Sequence, residues 1–178
     1  MQQNGIFVVL YSEGVINMPI ASRILIESAC YHVITRGNQR QRVFREEKDY
    51  ERYLSIMRRS KRKYSIYLYA YCLMPNHVHM LIDTDVMHNI SKFMQWINRG
   101  YTAYFNSKYK KEGHLWQGRF VSKPIVKDEY LIHCAHYIEG NPVRANMVND
   151  IGRYRWSSYR ERCLLPKRVI LDDLRVQL

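Results

Sequence analysis

Residues 65–83 read SIYLYAYCLM followed directly by PNHVHMLID, two β-prone runs with only Pro75-Asn76 between them. In the first, Tyr67, Tyr69 and Tyr71 alternate with Leu68, Ala70 and Cys72, the pattern of a strand with two usable faces. The Pro-Asn break then turns the chain into a second strand, so the pair is expected to form a β-hairpin.

The flanking segments extend this frame. CYHVITR, 30–36, is β-branched and aromatic and stops at the turn signal Gly37-Asn38, so it predicts a strand. From about Glu46 to Lys63, Tyr50, Tyr53, Leu54 and Met57 recur at helical spacing among charges. Ile90, Phe93, Met94, Ile97, Tyr101, Tyr104, Phe105 and Tyr109 predict the longest helix, with Lys108, Lys110 and Lys111 ahead of a C-terminal cap at Gly113. RFVSKPIV, 119–126, predicts an edge strand because Pro124 interrupts it. Asp128-Glu129 open a helix running to about Gly140, whose core stripe is Leu131, Ile132, Ala135 and Ile138.

The order β-α-β-β-α-β is that of the ferredoxin-like α+β class, an antiparallel sheet with helices packed on one face, here followed by C-terminal helices. The third strand is central in that order. Residues 1–17 read as an N-terminal extension before a natural start at Met18, residues 18–165 as a single domain, and 166–178 as a tail.

Charge narrows the partners. Lys and Arg number 28 against 16 Asp and Glu, a net charge of +12 on a chain that is still 47% hydrophobic, so this is a folded basic domain suited to polyanions. Fifteen tyrosines and three tryptophans add surfaces for stacking on unpaired bases. Arg36, Arg40 and Arg42 around Gly37 read equally as phosphate clamps in the loop after the first strand or as a solvated loop; with Arg119 and Lys123 they are the candidate DNA contacts. Trp116 and Phe120 read either as base-stacking platforms or, more commonly, as core aromatics. Cys30, Cys72, Cys134 and Cys163 are dispersed with no CxxC spacing, which predicts a reducing, cytoplasmic setting. No signal peptide or membrane-spanning run is read, and no nucleotide-binding loop.

Strand alternation sends His77 and His79 to one face and Val78 to the other. Two neutral imidazoles at this spacing can chelate one cation but need a third ligand, and two hydrogen-bonded or exposed strand histidines are the commoner explanation of such a pair taken alone. A histidine-triad nucleotide hydrolase would need a third histidine where the chain has Leu81. On the last predicted helix, Tyr137 lies off the core stripe with Tyr130 and His133, and Asn141 follows four residues later at a helix end set by Pro142.

PNHVHMLI resembles the HUH motif (U, a hydrophobic residue) of single-tyrosine transposases, and YIEGNPVRANMV resembles their tyrosine helix. YHVITRGNQRQRVF, REEKDYERYL, GHLWQGRF and YRWSSYR are similar to further segments of that family, in the REP-associated group, and the resemblance spans about residues 18–163. It implies cleavage and rejoining of single-stranded or hairpin DNA at REP-like palindromes by a monomer or homodimer. Tyr137 is then the nucleophile forming a 5′-phosphotyrosine, and His77, His79 and Asn141 hold Mg²⁺ or Mn²⁺. Relatives in mobile insertion sequences usually carry Gln where this chain has Asn141, which favours the REP-associated group. The alternative is a catalytically inactive binder of hairpin nucleic acid.

Overall fold

The alternating segments form four strands: β1 (Cys30–Arg36), β2 (Ile66–Met74), β3 (His77–Thr84) and β4 (Val121–Ile125). Met74 pairs with His77, so Pro75-Asn76 is a two-residue hairpin turn. The sheet order is β2-β3-β1-β4 with every neighbouring pair antiparallel, the ferredoxin-like order, and β4 lies at an edge where Pro124 is tolerated. The computed structural model describes residues 30–86, 88–125, 129–166 and 169–174. The expected extension at 1–17, the start at Met18 and much of the tail lie outside them.

Helices α1 (Glu47–Lys63) and α2 (His88–Tyr109) cover one face of the sheet. Their apolar stripes, among them Tyr53, Met57, Phe93, Ile97 and Tyr101, pack on Val33, Val78, Met80 and Ile82. Asp49 pins the two helices together from a fully buried position. It accepts hydrogen bonds from Lys108 (2.5 Å), Tyr109 (2.6 Å), Tyr104 (3.0 Å) and the backbone N–H groups of Arg45 (2.8 Å) and Glu46 (3.2 Å). α2 ends on Lys110, itself in the left-handed region at φ 52°, rather than on Gly113, because Lys111 N–H already reaches back to the Asn106 carbonyl.

The helices are not confined to one face. α3 (Glu129–Glu139) lies on the other, where Leu131, Ala135 and Ile138 meet Cys30, Ala70, Cys72 and Leu81. Periodicity identifies the apolar stripe but not the sheet face that receives it, and this second face is apolar enough at β2 and β3 to demand cover. Ile132, expected in that stripe, is 49% exposed. The tyrosine alternation in β2 is also broken, by a register shift between Leu68 and Ala70. Tyr69 consequently packs with Ala70 and Cys72 on the α3 side, whereas Leu68 and Tyr71 join the core under α1 and α2.

After α3 come α4 (Asn141–Arg144) and α5 (Ser158–Cys163). The outer edge of β2 is occupied by the chain that follows. Leu73 N–H donates to the Trp156 carbonyl, Tyr71 N–H to Ser158 Oγ and Leu68 N–H to Asp172 Oδ2. No described helix is long and apolar enough to cross a membrane.

Candidate active site on the histidine face

Residues paired directly across an antiparallel sheet share a face. His77 pairs with Arg36, His79 with Ile34, and His32 with both Leu81 and Lys123, so His32, Arg36, His77, His79 and Lys123 project together on the α3 side. His32 Nε2 lies 2.9 Å from His79 Nδ1, with the rings stacked at 5.1 Å between centroids, and the His77 and His79 rings are 4.9 Å apart. His77 Nδ1 donates to Asn76 Oδ1 at 2.6 Å, and the Asn76 amide nitrogen donates to the Arg40 carbonyl at 3.2 Å. The histidine pair is therefore a histidine trio with an amide at its end. His32 stood within the CYHVITR strand, but only the register of β1 against β3 brings it beside His79.

α3 carries Tyr137 to the same place. Its apolar stripe faces the sheet, and Tyr137, off that stripe, meets the His32 ring edge-on at 6.2 Å while remaining 39% exposed. A buried phenol could not reach a polymeric substrate; this one is open to solvent. The Arg144 guanidinium carbon lies 4.1 Å over the Tyr137 ring, and Arg144 also donates a hydrogen bond to the Tyr137 carbonyl. Gly140 permits that return of the chain, since a Cβ there would sit 3.0 Å from Arg144 Nη1 and 3.1 Å from the His136 carbonyl. Asn141 opens α4 with its amide nitrogen donating to the carbonyls of Ile138 (3.0 Å) and Tyr137 (3.3 Å).

Burial pushes the His32 and His77 imidazoles down to about 4, helped by Lys123 beside the first and Arg36 beside the second. His79 falls further, to about 2, through burial and then the charges of His77, His32, Arg36 and Arg144. All three rings are thus neutral at pH 7, the form that binds metals. Among the described residues no three His, Cys, Asp or Glu side chains form a complete metal-binding group. His77 and His79 offer two imidazoles, an incomplete donor set that fits a cation keeping water or phosphate among its ligands. The surrounding cations Arg36, Arg144 and Lys123 fit an anion in the same place.

The other expected contacts divide. Exposed Arg40 and Arg42 lie in the loop after β1, which is stitched to the hairpin turn by Gly37 N–H to the Asn76 carbonyl and Val43 N–H to the Pro75 carbonyl, both 2.8 Å. Arg119 is elsewhere, in a groove of about 820 Å³ lined by Asn38, Asn98, Arg99 and Trp116 among others. Trp116 is buried against the core and Phe120 packs on it, so the core reading holds for both.

Residues 26–141 match the family model described as IS200-like transposase. The structure of a REP-associated tyrosine transposase bound to a REP hairpin superposes with a TM-score of 0.71 at 18% identity, over 90% of this chain and 94% of that one. A crystal structure from Deinococcus radiodurans R1, of a protein assigned as a transposase, gives a TM-score of 0.46 at 21% identity over 67% of this chain and 95% of that one. None of the curated proteins compared matches the chain.

Proposed function

The chain belongs to the IS200-like transposase family, and from that premise we propose that it is a REP-associated-type transposase that cuts and rejoins single-stranded DNA beside a hairpin, with Tyr137 as its nucleophile. The observation that carries this reading is the approach of Tyr137, from α3, to the imidazole cluster of β1 and β3. An exposed phenol beside neutral imidazoles and three cations is suited to phosphoryl transfer.

In this reading Tyr137 Oη attacks the phosphorus of a phosphodiester. A tyrosyl–phosphorus bond forms as the bond to the 3′ oxygen breaks; the phenol gives up its proton, and the leaving oxygen is protonated as a 3′-hydroxyl. The 5′-phosphotyrosine conserves the energy of the broken ester, so attack by a 3′-hydroxyl rejoins strands without a nucleotide cofactor. Arg36, Lys123 and Arg144 draw the phosphate to the histidine face. Arg144 stabilises the phenolate that develops, since a free tyrosine ionises only near a pKa of about 10. His77, His79 and Asn141 would hold Mg²⁺ or Mn²⁺, which when bound supplies charge neutralisation on the non-bridging phosphate oxygens. The hairpin carried by the structurally similar REP-associated transposase supports hairpin DNA as the substrate class.

The test uses a hairpin with single-stranded flanks and Mn²⁺. Wild-type protein should form a denaturant-resistant adduct with the 5′ end of the break. Tyr137→Phe should lose adduct and cleavage together while keeping its melting temperature and its hairpin affinity. Cleavage that survives in Tyr137→Phe would refute the assignment, and hairpin binding without adduct in wild type would establish the binding-only alternative.

A further inference from the structure

We propose that Asn76 and His32 are positioning residues that lock His77 and His79 into one tautomer, with the proton on Nδ1, so that both present the Nε2 lone pair to a divalent cation. The inference rests on the reading of His77 and His79 as ligands. A neutral imidazole has one N–H and one lone pair, and which nitrogen keeps the lone pair is decided by the partner of the other. In metal sites that partner also fixes the ring's orientation.

For His77 the direction follows from an orientation set elsewhere. The Asn76 amide nitrogen donates to the Arg40 carbonyl, which turns Oδ1 toward His77 Nδ1 at 2.6 Å. A carbonyl oxygen can only accept, so the proton is on His77 Nδ1. Asn76 is in turn held by its own main chain: its carbonyl accepts from Gly37 N–H, and the preceding Pro75 carbonyl accepts from Val43 and Phe44. The Pro-Asn turn thus makes the hairpin and orients the first histidine after it.

For His79 the partner is another imidazole. One proton lies between His32 Nε2 and His79 Nδ1, and only donation by His79 leaves its Nε2 free for a cation. On the proposal His32 is the acceptor, with its own proton on Nδ1; it is 5% exposed on the central strand β1 between Leu81 and Lys123, its ring 5.1 Å from that of His79 between centroids. Its ring also meets that of Tyr137 edge-on, so one ring neighbours both a proposed ligand and the proposed nucleophile.

The experiment has two arms on the full chain. Long-range ¹H–¹⁵N NMR of imidazole-labelled, metal-free protein should show His77 and His79 protonated at Nδ1 and bare at Nε2. Mn²⁺ titration followed by EPR should show affinity falling about 10–100-fold in Asn76→Ala and in His32→Phe, with metal-free hairpin binding unchanged. His32→Gln and Asn76→Asp, which keep an acceptor oxygen near the same point, should recover most of the loss and guard against a mere folding defect. A proton on Nε2 of His79, or Mn²⁺ affinity indifferent to both truncations, would overturn the proposal. Nδ1 tautomers in a wild-type chain that takes up no Mn²⁺ would support the lock and remove the ligand reading beneath it.

Discussion

Arg144 holds Tyr137 at two points, its guanidinium 4.1 Å over the ring and hydrogen-bonded to the tyrosine's own carbonyl. Ring orientation and charge over the phenol are therefore set by one side chain, seven residues further on. Arg144→Ala is expected to slow single-turnover adduct formation by about 10–100-fold, in the range for losing one charge-stabilising group. Thermal stability should change by no more than about 1 kcal/mol, because an exposed cation–π contact is worth about that. Arg144→Lys, which keeps the charge without the planar stack, should fall between. An alanine variant at the wild-type rate would end this role.

The trio of buried imidazoles makes metal-free protein acid-sensitive in a defined direction. Their ordinary value is 6.5, and folding lowers His32 and His77 to about 4 and His79 to about 2. Below pH 6.5 the unfolded chain therefore binds protons that the folded chain refuses. The stability is complete above that pH and is lost as pH falls, toward 4 for His32 and His77 and toward 2 for His79, by up to about 1.4 kcal/mol per pH unit for each ring. Urea melts between pH 7.5 and 5 should show this slope, and His32→Gln should make it shallower. A flat profile would mean that the rings are protonated in place.

Asp49 is a different kind of group. Burial would raise its carboxyl, but hydrogen bonds from Lys108, Tyr109 and the Arg45 and Glu46 backbone outweigh that and hold it below its usual 3.8. Its contribution is present above pH 3.8 and disappears as the pH falls below. Asp49→Asn should destabilise the fold by about 3 kcal/mol, since it leaves Lys108 without its closest partner at the α1–α2 contact. Denaturant melts at pH 7 would measure this, and a change under about 0.5 kcal/mol would show the cluster to be ornamental.

Arg36 and Lys123 flank the histidines from paired positions in the sheet. Alanine at either should weaken binding of the single-stranded flank at low salt and flatten log K against log salt by about 0.7 for each phosphate contact removed. Arg119→Ala, in the separate groove, tests whether the strand extends that far. Salt slopes unchanged in both Arg36→Ala and Lys123→Ala would place the DNA elsewhere.

The elements of the fold were readable because each has a clear period, and the strand CYHVITR and the Pro-Asn hairpin stand where alternation placed them. What period does not encode is which surfaces meet. The α3 stripe names Leu131, Ala135 and Ile138 but is silent on the face they cover, and one register shift in β2 was enough to part Tyr69 from Tyr71. The site divides the same way. His77, His79 and Tyr137 are visible as alternation, motif and wheel position, and the fold brings them to one place. His32 needs the strand register and Arg144 needs the turn at Gly140, and both of those are products of tertiary structure.

The occupied edge of β2 bears on how many DNA ends the protein handles at once. Its outward N–H groups at Leu68, Tyr71 and Leu73 are taken within the chain, and Pro124 interrupts β4 at the opposite edge, so neither presents an unbroken ladder for a second copy. Within the one chain, α3 already brings Tyr137 to the His32 ring beside His79. On the proposed chemistry each tyrosine captures one 5′ end per encounter, and strand exchange becomes a matter of order in time: the captured end waits on the protein for an incoming 3′-hydroxyl.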